Sequence, residues 1–287
     1  MAGILAAIIA AFSPFWGLIF ILSFCGKYLS RKNIFLAVFA IAAIALLAAG
    51  IIDLASFADI ICGVGLAVFL YCFVFLKTAS YLSALLAGYG MNIVYAVLRS
   101  FLLRDIMKTN LAQVIESYRQ FLDSTLQNKP ENLEMMLAIL NSMEEIFSKY
   151  FIGIWIVSIT FGLYFGTLLF SQKTGFKWQH NKIGMPFFFI YLLIIALLLF
   201  ILPGMRTAGI NALATLTPIF LIQGISILDF FWGDFFRKSR FLLYLLIVSM
   251  VFNYFILILV ALVGLLDIWF DFRKIRTMEE IHESHSD

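Results

Sequence analysis

The hydrophobic and polar positions of this chain fall into long alternating blocks. Runs of about 20 apolar residues, the helix length that crosses the hydrocarbon core of a bilayer, are separated by short polar segments. Eight such runs lie at about residues 3–24, 33–52, 57–76, 81–103, 150–170, 186–202, 208–231 and 241–270. The pattern predicts an all-α, polytopic transmembrane helical bundle of about eight spans.

The first and last runs differ from the other six. No Lys or Arg precedes the first run, which continues past Pro14, so we interpret it as a retained span rather than a cleavable signal peptide. The last run is too long for a perpendicular span and needs either a tilt or a break near Asn253. The count of spans therefore lies between seven and nine.

Between the fourth and fifth runs, residues 104–149 hold five basic and seven acidic residues. Apolar residues recur at helical spacing on both sides of a turn at 127–131, where Pro130 suits the first position of a helix. The two faces comprise Leu111, Ile115, Tyr118, Leu122 and Leu126, then Leu133, Met136, Leu137, Leu140 and Phe147. We expect an amphipathic helical hairpin outside the bilayer. It folds back on its own membrane domain, lies at the lipid surface or docks a partner protein.

These blocks divide the chain into four parts. An N-terminal transmembrane block of about four spans, residues 1–103, precedes the hairpin at 104–149. A C-terminal block of about four spans, residues 150–272, precedes a polar tail at 273–287.

Composition and charge narrow the class of protein. Hydrophobic residues make up 63% of the chain and charged residues 13%, against about 25% charged in soluble domains. The lipid bilayer is therefore the main expected partner. The net charge is only +3, with no basic stripe, which argues against nucleic acid. Ten of the 20 Lys and Arg residues fall on each side of the predicted bundle, so they do not assign its orientation.

Polar side chains on the fourth run are candidates for a site. Asn92, Tyr95 and Arg99 share one helical face. Inserting an ionisable side chain at mid-bilayer costs about 2.5–3.5 kcal/mol of free energy. A compensating interaction is therefore expected for Arg99. Either it extends to the interface, or it lines a cavity with Asn92 and Tyr95, where it would favour a carboxylate-bearing ligand.

Two further candidates lie in the C-terminal block. Gln223, deep in the seventh run, either bonds another helix or lines a binding site. Asp267 lies one turn inside the end of the last run. It forms a structural ion pair, with Arg273 or Lys274 if the helix continues or with a cation on another helix, or it is linked to proton or substrate movement.

Small residues recur at the spacing that lets membrane helices approach closely. Gly162 and Gly166 form one such pair, and Ala2, Ala6 and Ala10 form a stripe on the first run. We expect all five to pack against neighbouring helices.

The sequence lacks the motifs typical of several classes of enzyme. The sequence contains no GxxxxGK[ST] phosphate loop, no HExxH and no GxSxG. The three histidines lie in a loop or the tail, and the three cysteines lie in apolar runs without CxxC spacing. We therefore predict no catalytic residues, no metal site, no cofactor and no enzymatic activity.

One stretch carries a family resemblance. Gln223-Gly224, the basic loop at 237–240 and the sequence GLLDIWFDFR at 264–273 resemble the YybS-like bacterial membrane proteins (domain of unknown function 2232). The resemblance implies a multi-pass protein of the bacterial inner (plasma) membrane, and the family has no established activity. It also implies distant similarity to S components of energy-coupling-factor transporters, which dock on a separate transmembrane subunit through a stripe of small residues. In this chain Ala2, Ala6 and Ala10 would form that stripe. The hairpin departs from those compact proteins.

Two functional hypotheses follow. The first is a small-molecule binding or transport component whose cavity is lined by Asn92, Tyr95, Arg99, Gln223 and Asp267. The alternative is a membrane scaffold or assembly subunit that docks partner proteins through the 104–149 hairpin. A membrane-protein partner or a second copy of the chain would then be bound.

Overall fold

The computed structural model describes residues 2–126, 130–176, 178–238 and 253–274. Within these residues the chain is almost wholly helical and contains no β-strand. The all-α class predicted from the apolar runs is confirmed. The helices are α1 Ala2–Phe12, α2 Pro14–Lys27, α3 Lys32–Ala48, α4 Leu54–Ala58, α5 Ala67–Thr78, α6 Tyr81–Leu102, α7 Arg104–Leu126, α8 Pro130–Thr174, α9 Phe188–Ile201, α10 Arg206–Lys238 and α11 Tyr254–Phe270.

Three shorter elements connect these helices. A π-helical segment, Asp59–Leu66, continues α4 into α5, and 3₁₀ turns lie at Leu29–Arg31 and His180–Lys182. π-Helical turns are rare and frequently lie at functional sites. The π-helical segment that begins at Asp59 is therefore a candidate functional region.

Five helical segments in the described part of the chain are long and apolar enough to cross a membrane. They are Leu29–Ala48, Leu54–Thr78, Tyr81–Leu102, Glu131–Thr174 and Arg206–Gly233. Helices α1, α2, α9 and α11 are apolar but shorter. The described residues thus show fewer full-length spans than the eight apolar runs predict.

The first apolar run is not one continuous helix. Ser13 is extended (φ −158°, ψ 111°) and separates α1 from α2. A Cβ atom at Gly17 would lie 2.7 Å from that of Ala10, so the two helices fold back sharply on each other. The cause is Pro14, whose ring disfavours the helical conformation at the preceding residue. The prediction of a single span from Gly3 to Phe24 is therefore wrong.

The predicted hairpin corresponds to α7 and the first part of α8. Its turn residues 127–129 lie outside the described residues. Ile115 on α7 and Leu140 on α8 are buried, and Arg119 Nη2 on α7 donates to Asn141 Oδ1 on α8 at 3.3 Å. Tyr150 leaves helical geometry (φ −115°, ψ 19°), at the predicted boundary between the hairpin and the next apolar run.

Contacts divide the chain into two compact units, residues 1–170 (unit 1) and 171–287 (unit 2). The hairpin and the whole fifth apolar run are thus grouped with the N-terminal helices, whereas the sequence pattern suggested boundaries after 103 and 149. Of the predicted polar tail, Arg273 and Lys274 are described and the rest lies outside the described residues. The first part of the last apolar run, 241–252, lies outside them too.

Candidate functional site

A buried ion pair lies inside unit 1. Arg99 on α6 donates through Nε to Asp59 Oδ1 at 2.5 Å and through Nη2 to Asp59 Oδ2 at 2.6 Å. Tyr95, one turn earlier on α6, donates its hydroxyl to Asp59 Oδ1 at 2.6 Å. Both charged residues are only 8% exposed. Two parallel N–H···O bonds are the strong, orientation-specific form of this pairing.

Aromatic rings enclose the same guanidinium. The Arg99 Cζ atom lies 4.3 Å from the ring centre of Phe151 and 5.0 Å from that of Trp155. Its remaining amino group contacts Met107 Sδ at 3.0 Å. A Cβ atom at Gly63 would lie 2.7 Å from the Trp155 ring, so only glycine leaves room for the indole. Arg99 is thus enclosed by other side chains of unit 1.

Asn92 is near this pair in sequence but makes different contacts. Its Nδ2 donates to the Gly88 carbonyl of the same helix at 3.1 Å. Its Oδ1 is buried with no hydrogen-bond partner among the described residues. The structure therefore brings Tyr95 and Arg99 together around Asp59, while Asn92 bonds its own helix.

Sequence reasoning missed Asp59. This aspartate lies two residues inside the third predicted run, which begins at about residue 57. A carboxylate inside an apolar run is a signal for a buried partner, because an unpaired charge there is costly. A buried carboxylate predicts a cationic partner nearby, and Arg99 is that partner.

A second buried cluster lies inside unit 2, around Arg273. All five N–H donors of the guanidinium are used. Nε and Nη2 donate to Asp267 Oδ2 at 3.2 and 2.8 Å. Nη1 donates to the Asn181 carbonyl and to Ser226 Oγ, both at 2.8 Å, and Nη2 also donates to the Ile183 carbonyl at 2.6 Å.

The chain reverses direction to make this ion pair. Helix α11 ends at Phe270, and Asp271 adopts a left-handed conformation with φ of 46°. The turn returns Arg273 to Asp267, six residues earlier. The prediction that Asp267 can pair with Arg273 only if the helix continues is therefore wrong.

Gln223 links the cluster to a connecting segment. Its Nε2 donates to Asp267 Oδ2 at 2.6 Å, and its Oε1 accepts from the Met185 backbone N–H at 3.0 Å. Asp267 Oδ1 is buried without a hydrogen-bond partner among the described residues. Gln223 and Asp267 are thus brought together in unit 2. The prediction of one cavity shared with Asn92, Tyr95 and Arg99 stays a prediction.

Helices α10 and α11 cross at two glycines that the sequence analysis did not assign to packing. A Cβ atom at Gly264 would collide with the Phe220 carbonyl oxygen, and one at Gly224 with the Val260 carbonyl oxygen. This close approach places Gln223 on α10 beside Asp267 on α11.

The small residues of unit 1 lie in helix contacts. Gly162 and Gly166 on α8 face α2, where a Cβ atom at Gly166 would lie 2.6 Å from Leu22 Cδ1. Ala6 and Ala10 are at most 1% exposed, and Ala2 is half-buried. The alanine stripe is therefore largely covered within unit 1, and its use as a docking surface stays a prediction.

An open groove of about 560 Å³, with polar and apolar walls, lies at the base of the hairpin. Its walls are Ala11, Ile51, Ile52, Asp53, Ser56, Asn110, Gln113, Val114, Ser117 and Tyr118. Asp53 accepts from the Ser56 backbone N–H at 2.8 Å and from Asn110 Nδ2 at 2.5 Å. Partial burial opposes ionisation, but these hydrogen bonds outweigh it and lower the pKa of Asp53. The groove thus carries a negative charge at neutral pH.

The long apolar helices, with their charged side chains buried in ion pairs, define a membrane protein. The chain belongs to the family described as predicted membrane protein (DUF2232), whose model matches residues 2–268. No curated protein and no solved structure shows significant similarity to the chain.

Proposed function

We propose that this protein is a multi-pass inner-membrane protein of about eight spans that binds a small molecule bearing an ammonium group. The ligand would occupy the groove at the base of the hairpin. The observation that carries the proposal is the ionised carboxylate of Asp53 in a groove whose walls, among the described residues, include no Lys or Arg. An unbalanced negative charge in a concave site favours a cationic ligand.

The groove has further groups suited to such a ligand. Each carboxylate oxygen of Asp53 accepts one hydrogen bond within the protein and keeps a second lone pair for a ligand donor. The Tyr118 ring, 59% exposed, can contact a cation through its face. Ile51, Ile52 and Val114 supply an apolar wall. The expected ligand is therefore an amine with a short apolar part.

The buried ion pairs take a different role in this proposal. From its sequence context Arg99 is expected to bind an anionic ligand, but its guanidinium already donates to Asp59 and Met107 and lies against two aromatic rings. Gln223 and Asp267 are likewise engaged with Arg273 and Met185. We assign these residues to holding the helices of each unit together. If the protein also transports its ligand, the helices would have to move after the ligand has bound in the groove.

The proposal is tested with the full chain in nanodiscs of phosphatidylglycerol, a lipid without an ammonium group. Isothermal titration with n-butylammonium should show saturable binding, and n-butyrate should show none. Asp53→Asn keeps an oxygen for the Ser56 cap but removes the charge, so it should weaken n-butylammonium binding at least tenfold. The matched control is Asp105→Asn, an exposed carboxylate outside the groove, which should bind like the parent.

A second set of nanodiscs distinguishes a free amine from a lipid headgroup. If phosphatidylethanolamine in the disc abolishes n-butylammonium binding, the natural occupant is a lipid headgroup. If binding persists, it is a soluble amine. Equal affinity of Asp53→Asn and the parent chain would refute the proposal.

The scaffold role of the 104–149 hairpin is the second candidate, because apolar side chains on both hairpin helices are exposed. Deletion of residues 111–147 would remove co-purifying proteins if the hairpin docks partners. The binding proposal instead expects this deletion to abolish the response to n-butylammonium, since Gln113, Val114, Ser117 and Tyr118 are lost with it.

A further inference from the structure

The hairpin carries more apolar surface than its own seam uses. One apolar residue is buried on each hairpin helix, Ile115 on α7 and Leu140 on α8, and we take these two to mark the seam between the helices. A second row of large apolar side chains remains 39–61% exposed on each helix. These are Val114, Tyr118 and Phe121 on α7, and Met136, Ile139, Met143, Ile146 and Phe147 on α8. We call this set the outer apolar row. Apart from the adjacent pair Ile146 and Phe147, its members recur on each helix every three to four positions, as on one helical face.

Both halves of the outer apolar row lie on the same side of the hairpin. Successive helical residues are rotated by about 100°, so Val114, Tyr118 and Phe121 lie roughly 90° from the α7 seam. On α8, Ile139 and Met143 are displaced from the seam by a similar angle in the same rotational sense. Because the two helices are antiparallel, equal displacements in that sense place both halves on one face.

That face is turned towards the membrane-spanning helices of unit 1. Asn110 bonds Asp53, and Val114 and Tyr118 line the groove opposite Ile51 and Ile52. Residues 49–53 connect two segments long enough to cross a membrane, Leu29–Ala48 and Leu54–Thr78. Such a connection lies at the end of the spans, where the bilayer surface begins. The part of the outer apolar row that extends beyond this connection therefore points at the lipid.

The attachment of the hairpin agrees with this direction. Helix α7 begins two residues after the span α6 ends, and α8 enters the next spanning segment after the break at Tyr150. Both ends of the hairpin are thus held at one membrane boundary. On the opposite face, Glu116, Asp123 and Glu134 are exposed. The hairpin is amphipathic across its width, as helices that lie in the interface plane are.

We propose that the 104–149 hairpin lies flat on the bilayer. The members of the outer apolar row beyond Val114 and Tyr118, which line the groove, are inserted at the boundary between headgroups and acyl chains. The inference is independent of ligand binding in the groove. Residues 104–149 carry a net charge of −2, from five basic and seven acidic residues, so attraction to anionic lipid is not the driving force. Association instead comes from apolar burial, and it is insensitive to salt and to headgroup charge.

Spin labels at single cysteines test this placement in the full chain. Cys25, Cys62 and Cys72 are first replaced by Ala, and a thermal melt shows whether the fold is kept. Labels are then placed by Ile139→Cys and Met143→Cys in the outer apolar row. Matched controls on the same helix are Ala138→Cys and Ser148→Cys, which are exposed on other faces.

The measurement is the collision rate of each label with oxygen, which concentrates in lipid, relative to a water-soluble nickel chelate. In phosphatidylcholine vesicles, this ratio should be at least threefold higher at 139 and 143 than at 138 and 148. The same difference should appear in phosphatidylglycerol vesicles and at high salt. Equal ratios at all four positions would place the outer row in water and overturn the proposal. Labels at 139 and 143 shielded from both reagents would show a protein partner or a second copy, and would overturn it as well.

Discussion

Arg99 and Asp59, 40 positions apart in sequence, form a bidentate ion pair inside the first compact unit. Each residue is only 8% exposed, and Tyr95 adds a third hydrogen bond to the same carboxylate. The pair ties α6 to the π-helical segment that begins at Asp59. It also accounts for two charged side chains that would each be costly within apolar surroundings.

Removal of one partner of this pair should be strongly destabilising. Arg99→Met leaves Asp59 buried without its cation, at an expected cost of about 3–5 kcal/mol. The double variant Asp59→Leu, Arg99→Met removes both charges and should recover at least half of that loss. The measurement is the free energy of reversible unfolding in mixed micelles. Asp105→Asn serves as the surface control, with an expected change within about 0.5 kcal/mol. A double variant no more stable than Arg99→Met would contradict the ion-pair explanation.

Arg273→Lys should destabilise unit 2 although it keeps the charge. The guanidinium reaches four acceptor groups at once, and a lysine ammonium has three donors without the planar fork. Each buried acceptor left without a partner costs about 1–3 kcal/mol. Thermal unfolding in detergent measures the change, with the exposed neighbour Lys274→Arg as a control of small effect. Equal melting of Arg273→Lys and the parent chain would show that the donor geometry is unimportant.

Alanine at the helix crossing should separate α10 from α11. In Gly264→Ala the new Cβ atom collides with the Phe220 carbonyl oxygen, and overpacking of this kind costs typically about 1–3 kcal/mol. The matched control is Gly90→Ala on α6, where nothing lies within 4 Å of the added atom. There the better helix propensity of alanine should leave stability unchanged or raise it by up to about 1 kcal/mol. The same loss at both positions would refute the close crossing.

The contribution of Asp53 to stability should depend on pH. Its hydrogen bonds from Ser56 and Asn110 lower its pKa in the folded state, despite the opposing effect of partial burial. A lowered folded-state pKa means that the stabilisation is present at neutral pH and is lost as the pH falls through that pKa. Asp53→Asn should therefore melt below the parent chain at pH 7, and the difference should shrink near pH 3. A difference that stays constant between these two pH values would exclude this role of the carboxylate.

Sequence patterns located several parts of the candidate sites but not their partners. Polar groups inside apolar runs are costly unless they have partners. That cost identified four candidate positions, Tyr95, Arg99, Gln223 and Asp267. The pattern could not identify Asp59 as the partner of Arg99, because no periodicity connects residues 40 positions apart. The return of Arg273 to Asp267 was also unpredictable, since it depends on a left-handed residue, Asp271, immediately after the helix.

The sequence by itself determined that this protein is helical, that it belongs in a membrane and that a charged hairpin interrupts its apolar blocks. Those properties follow from local composition and from the 3.6-residue repeat, which any stretch of chain carries alone. Only the tertiary structure decided that Asp59 pairs with Arg99 and that Gly264 meets Phe220. Each of these depends on the directions in which helices cross, and hydrogen bonds and close packing then select one arrangement because buried charges and carbonyl groups are costly without partners.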